Sequence, residues 1–475
     1  MKNYTALVVL ITSLGASSIL AQDWPQWRGP NRDAKSDFKA PKTWPKELTQ
    51  KWKVTVGEGV ATPALVGDKV YVFSRQDGNE VTRCLNAADG KEVWQDKYES
   101  LGATGPAQGF SGPRSSPAVA SGKVVTLGVR GMLSSLDAAT GRKLWRKDDF
   151  HAYPGFFPSS SPMIVDGLVI AQLGGRENGA LVAYDLTTGD EKWKWSGPSP
   201  SYASPVLMNA GGAKLIIART ESKLVAVNAA DGKLVWEDAP AQGGGGPGGP
   251  GGGGGMRGGG DRYKAATPVV DGDTIILAGA GVKAIKLQKD GDKFTSKELW
   301  NAPDASVQFN TPVLKNGMLY GLNQQNQVFC VSTKDGKLAW SAPLPGSAPA
   351  GAPRTAQNFS GANYFGVPVP AEPNAADRPP VRPGGPGGPG GGGRRGGGMG
   401  GMGGGGGYGS IVDAGSVLFA LTPNSQLIVI EPSDKELKQV ASYKVAAGQT
   451  HAYPVASGNR IFIKDKDSLT LWTTE

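Results

Sequence analysis

The sequence predicts an all-β fold, an eight-bladed β-propeller of four-stranded blades closed by an N-terminal strand. Three observations predict it. An eleven-residue motif ending in tryptophan recurs along the 475-residue chain. A hydroxyl residue, usually followed by proline, stands ahead of each copy. Between these landmarks apolar residues alternate with a period of two, and no stretch shows the 3.6-residue period of an amphipathic helix. Self-similarity of this kind marks a repeat architecture, and four short strands per repeat make a propeller blade.

The motif is small-x-[Asp/Asn/Ser]-x-x-x-Gly-x-x-x-Trp. It occurs at 84–94, 135–145, 183–193, 226–236 and 330–340, with a longer copy at 284–300 and degenerate ones at 429–443 and at the C-terminus. The landmarks are Thr62-Pro63, Ser116-Pro117, Ser161-Pro162, Ser204-Pro205, Thr267-Pro268, Thr311-Pro312, a proline-free Ser410, and Tyr453-Pro454, which counts eight units. The Asp-Gly or Thr-Gly ahead of the tryptophan strand is hairpin chemistry, because glycine takes positive φ at little cost. The indole, large and flat, suits the wedge between neighbouring blades. The last unit reaches Glu475 about where its fourth strand would start, while Lys51-Trp52-Lys53-Val54 is an unmatched strand of that type ahead of the first landmark. That strand is expected to complete the eighth blade and to remove both open edges.

Spacings between landmark hydroxyls lie between 43 and 54 residues except for two of 63 and 99. Those two hold glycine-rich insertions, at 241–260 and about 348–407. Both read as disordered loops between blades, since chain of this composition buries too little apolar surface to offset its ordering entropy. They also explain the composition. Of 72 glycines, 14 lie in 241–260 and 18 in 378–407, beside Arg257, Arg378, Arg382, Arg394 and Arg395 and no acid. Much of the formal charge of +9 therefore sits in the tracts, and the body beneath is close to neutral. This excludes a nucleic-acid-binding fold with a broad basic face, and the glycine-dense tracts lack aromatic residues for base stacking.

Residues 1–21 read as an export signal: Lys2, an uncharged and largely apolar run from Ala6 to Leu20, and Ala21 ahead of Gln22. The run is interrupted by Thr12, Ser13, Ser17 and Ser18 and falls short of the roughly 20 apolar residues a membrane span needs. No cysteine follows it for lipid attachment. A periplasmic or secreted monomer without a transmembrane span is expected, with a signal peptide at 1–21, an N-terminal arm at 22–50 and the propeller at 51–475. The arm, carrying Trp24, Trp27 and Trp44, is expected to pack along the propeller rim with WPQW as its apolar anchor. Cys84 and Cys330 take the motif position held elsewhere by Ser135, Ala183 and Ala226, so they read as packing residues. In the first and sixth units of a ring they would stand beyond the ~7 Å Cα limit for a disulfide.

The Gly-to-Trp repeat resembles the tryptophan-docking motif of pyrroloquinoline quinone (PQQ) dehydrogenase propellers and of BamB-like PQQ-repeat proteins. DWPQWRGPNRD at 23–33 and HAYPVASGNRIFIKDKDSL at 451–469 are similar to exported PQQ-binding-like propellers. In the cofactor-using branch the resemblance implies PQQ, a planar tricarboxylate, with Ca²⁺, an Asp base and an adjacent-cysteine disulfide over the cofactor. Neither Cys84 nor Cys330 has a neighbouring cysteine.

The first strand of each blade lines the central channel, so residues just ahead of the landmarks are the candidates for its mouth: Glu58, Arg114, Ser159, Tyr202, Lys264, Gln308, Asn310 and His451. Arg114 and Lys264 could hold an anion, but only Glu58 is acidic and no Ca²⁺ set can be assembled. His151 and His451 each open a His-Ala-Tyr-Pro, yet they precede their landmark prolines by eleven and three residues, so no shared metal site is expected. No nucleophile, zinc or phosphate-loop signature is present. The expectation is a non-catalytic binding scaffold of the cell envelope, BamB-like in one form. It has no catalytic residue, no cofactor and no nucleic acid, and its partner is an envelope protein or peptide. The alternative is an atypical PQQ-dependent alcohol or sugar dehydrogenase.

Overall fold

The computed structural model describes residues 23–238, 264–344 and 408–475. The expected export signal and both glycine-rich insertions lie outside the described residues. Eight four-stranded antiparallel sheets form the propeller. The first blade comprises Ala64–Val66, Lys69–Gln76, Asn79–Asn86 and Glu92–Glu99, and six more follow at 118–147, 163–196, 206–238, 269–302, 313–343 and 410–444. The eighth is built from Val455–Ser457, Arg460–Lys464 and Ser468–Thr473, and its outer strand is Thr49–Thr55, paired antiparallel with Ser468–Thr473. The ring is closed by the strand exchange expected from Trp52. Among the described residues no helix is long and apolar enough to cross a membrane.

Apolar residues cluster between adjacent blades and not in one centre. Val125, Leu133, Val169 and Val182 join blades two and three, and Ile216, Val225, Ile170 and Leu181 join three and four. Each blade therefore depends mainly on its neighbours. The motif supplies the joint. Trp94 of blade one lays its indole on Gly141 of blade two and donates from Nε1 to the Ala138 carbonyl at 3.0 Å. A Cβ at Gly141 would stand 2.5 Å from that ring, and its φ is +74°, so two independent constraints select glycine. Across the seam, Trp52 of blade eight docks on Gly90 of blade one and donates to Ala87. A bulge precedes the motif tryptophan, as between Lys143 and Trp145, where the extra residue re-aims the side chain. Cys84 and Cys330 are free and buried in blades one and six.

The landmark hydroxyls have a common task. The backbone N–H of Thr62 donates to the Ser116 hydroxyl, Ser116 to Ser161, Ser161 to Ser204, Ser204 to Thr267, and Thr267 to Thr311, at 2.9–3.2 Å. Thr311 donates to the phenol of Tyr453, and the Tyr453 N–H returns to the Thr62 hydroxyl. The seven bonds make a closed belt about the axis. It passes over blade seven, where the buried Ser410 hydroxyl has no hydrogen-bond partner among the described residues. Tyrosine in the eighth unit is what lets the belt skip that blade.

The first part of the arm does not run along the rim but fills the axis, and only its second half turns outward across blade seven, where Trp44 packs against Phe419 and Tyr443. Trp24 pairs with Leu65 of blade one, Pro25 accepts from Val119 of blade two, and Ala34 accepts from Asp413 of blade seven. Lys35–Ser36 then runs parallel to Ser410–Ala414. Trp27 donates to the Thr267 hydroxyl of blade five at 3.1 Å. Arg28 donates to Thr311 and Pro312 carbonyls and to the Tyr453 phenol, and Arg32 to the carbonyls of Ser161, Pro162 and Pro205. The reason is geometric. Inner strands converging on an axis leave carbonyls at their starts with no strand to pair with. The guanidinium, with five donors and no acceptor, satisfies several at once. WPQW is an anchor, but it anchors in the channel.

Candidate funnel at the propeller axis

Above the belt lies a cavity of about 260 Å³. Its wall takes one side chain from every blade: Val60, Arg114, Ser159, Tyr202, Ala265, Phe309, Tyr408 and His451. Each stands two residues before its landmark. In near-extended chain, residues two apart share a face. A landmark whose hydroxyl turns inward to the belt therefore carries its second predecessor inward too, one layer higher. Trp27 closes the floor, packed edge-on against Tyr453 at 4.8 Å, so the funnel is blind and not a through-channel.

The aromatic wall is ordered by contacts among its members. Phe309 and Tyr408 stack at 4.3 Å with planes 15° apart. His451 meets Tyr408 and Phe110 edge-on at 5.2 and 5.0 Å. On the other side the Tyr202 phenol accepts from the Phe156 N–H at 3.1 Å, and its carbonyl accepts from Ser159.

Two polar groups in this wall are incompletely matched. Arg114 donates from Nη2 to the carbonyls of Ala107 and Phe110, at 3.2 and 2.8 Å. Its Nη1 is buried and has no hydrogen-bond partner among the described residues. Burial pushes this guanidinium down to about 10, which leaves it charged at neutral pH. Both ring nitrogens of His451 are also buried without a partner. Burial pushes His451 down to about 4, so it is a neutral imidazole at pH 7.

Of the residues singled out from sequence, Arg114, Ser159, Tyr202 and His451 come together here. Glu58, Lys264, Gln308 and Asn310 do not line the cavity. Lys264, Gln308 and Asn310 stand three, three and one residues ahead of their landmarks, off the inward register, whereas Glu58, four ahead, is a further layer removed from the belt. Glu58 accepts from the Ser111 hydroxyl and faces Lys466 at 3.4 Å, and that hydroxyl, with Lys466, holds its carboxyl below the usual range. Lys264 donates to the Glu221 carbonyl, and buried Asn310 donates to Leu322 at 2.8 Å. His151 is exposed, 3.9 Å from Asp148. Phe309, Tyr408, Val60, Ala265 and the loop aromatics Phe110 and Phe156 were not singled out from sequence. The constant two-residue offset is the signal that finds the first four.

PQQ with Ca²⁺ would ask this wall for clustered oxygen ligands and for cations facing three carboxylates. The wall supplies one guanidinium, one neutral imidazole and no carboxylate or carboxamide. Among the described residues no group of His, Cys, Asp and Glu is placed to hold a metal ion. These residues do not fit that cofactor.

The family model described as outer membrane protein assembly factor BamB matches residues 43–204 and 77–342. The outer membrane protein assembly factor BamB of Shewanella oneidensis is 22% identical over 306 residues, covering 61% of this chain and 69% of that protein. The crystal structure of BamB from Moraxella catarrhalis superposes with a TM-score of 0.55 at 12% identity, covering 90% of this chain and 97% of that one. The quinohemoprotein alcohol dehydrogenase of Comamonas testosteroni is 30% identical over 139 residues, 28% of this chain and 19% of that protein. Its crystal structure superposes with a TM-score of 0.57 at 13% identity over 95% of this chain and 80% of that one. With the repeat, the eight blades and a family match across most of the chain in agreement, this protein belongs to the BamB-type family of PQQ-repeat β-propellers.

Proposed function

We propose that the protein is a non-catalytic binding propeller of the cell envelope, using its axial funnel to hold a ligand or a segment of an envelope partner. The observation that carries this reading is the chemistry of the eight-residue ring. Aromatic and aliphatic side chains with one fixed cation supply contact area and orientation, the usual make-up of a binding site. They supply neither a carboxylate base nor a nucleophile beside a base, which acyl transfer or alcohol oxidation would require. BamB-likeness extends the reading to assistance in outer-membrane protein assembly.

The test is genetic and biochemical. Deleting the gene should lower the amount of folded outer-membrane β-barrel proteins, and cross-linking from the funnel mouth in intact cells should trap an envelope protein. Unchanged barrel content with no cross-link would count against the scaffold reading. The second reading, an atypical PQQ-dependent dehydrogenase, is favoured by the 30% identity to the Comamonas enzyme. Dye reduction by purified protein supplied with PQQ, Ca²⁺ and a primary alcohol would establish it; no reduction across alcohols and sugars would dismiss it.

A further inference from the structure

The unmatched groups in the funnel define what it takes. We infer that the funnel binds a small aromatic carboxylate, its carboxylate paired with the Arg114 guanidinium that lines the cavity and its ring held against the aromatic wall. This rests on the reading of the funnel as a binding site and adds its ligand class.

Four observations carry the inference. Arg114 has one face committed to Ala107 and Phe110, which fixes its position, while Nη1 has no partner among the described residues. A largely buried cation with a donor still unspent attracts an anion strongly, because little water is there to screen it. His451, beside Phe110, offers a further donor without adding a second charge. One charge and one neutral donor match a single carboxylate and not a polyanion.

The wall decides the rest of the ligand. Aromatic boxes commonly attract cations, but here the resident guanidinium repels them. A bare inorganic anion would lose its hydration against Phe309, Tyr408 and Phe156 with too few donors in return. A flat ring recovers contact area on those faces by stacking or edge-on packing. The floor and the volume set the size. Trp27 blocks the axis and about 260 Å³ admits a ring with a short substituent, not a length of folded chain.

The test is calorimetric titration of the full-length protein with benzoate, benzamide, benzylamine, acetate, and PQQ with Ca²⁺, each alone. Benzoate should bind about tenfold or more tightly than benzamide, with benzylamine and acetate weaker still. Arg114→Gln should erase the preference for benzoate while benzamide binds as before, and Arg114→Lys, which keeps the charge, should retain much of it. Melting curves of both variants exclude misfolding as the cause. Equal binding of benzoate and benzamide, preference for benzylamine, equal binding of acetate, no binding by any ring compound, or binding of PQQ with Ca²⁺ in place of benzoate would each overturn the inference. The scaffold reading is judged separately, by barrel content and cross-linking, so it can stand when the ligand class falls.

Discussion

The two floor arginines and the one at the mouth sit on one axis and are used differently. On the floor, Arg28 and Arg32 aim their donors at oxygens: Thr311, Pro312 and Tyr453 for the one, Ser161, Pro162, Pro205 and Gln26 for the other. At the mouth, Arg114 is matched on one side only. Residue type is the same, and Arg114 is only the less deeply buried, so type alone does not reveal the role. The number of oxygens facing each guanidinium does. A saturated cation ties parts of a protein together, and a half-saturated one is a place for something else to bind.

The contrast can be broken at several points. Arg32→Met should have the largest effect. It strands the carbonyls of three inner-strand residues in the core, at a cost of about 3–5 kcal/mol in urea unfolding. A loss below about 1 kcal/mol would mean the floor is not held by this residue. Burial pushes Arg32 to about 9, so it stays charged through the neutral range.

Acid should act at the mouth next. His451 takes a proton near pH 6.5 when unfolded and near 4 when folded, so below 6.5 the unfolded chain binds the proton first. Stability should be full above pH 6.5 and fall by about 2 kcal/mol as pH drops through that window to 4, well under what the shift alone implies because the side chain is partly exposed. His451→Phe should flatten this part of the pH profile, with Phe110, Tyr408 and Arg114 left in place; an unchanged slope would assign it to other groups.

The belt between floor and mouth gives a smaller effect. Ser161→Ala leaves the Ser116 N–H buried and unmatched, at about 1–2 kcal/mol, whereas Ser410→Ala removes a hydroxyl that bonds to nothing described and should stay within about 0.5 kcal/mol. Equal losses for the two serines would show that the belt does not contribute. Arg114→Met should be the mildest of the arginine changes, within about 1 kcal/mol. Two hydrogen bonds are lost, but so is the cost of an open buried charge.

The fold was legible because its signals are local and repeated. The glycine that receives an indole and the tryptophan that leaves for the next blade sit four residues apart, in copy after copy, and Trp52 could be matched to a missing strand by type. The mouth was legible in part. Arg114, Tyr202 and His451 were found because they are chemically conspicuous and lie in register. Lys264, Gln308 and Asn310 are conspicuous and out of register. Ala265 and Val60 are in register and carry no chemistry to notice. The arm was misplaced because its partners are backbone carbonyls, which leave no trace in a side-chain pattern.

The axial arm also orders events in time. Some of its partners lie far along the chain: Tyr453 is 425 positions beyond Arg28, and just after the arm the Gly57 and Gly59 carbonyls accept from buried Lys464, 407 and 405 positions on. Middle blades can assemble on their neighbours as they appear, but Arg28 and the strand Thr49–Thr55 lack their last partners until the eighth blade exists. Closing so long a loop is the slow kind of folding step. Until closure the segment carrying Trp24, Trp27 and Trp52 is therefore without part of its cover, and a protease or chaperone acting before then would meet it exposed.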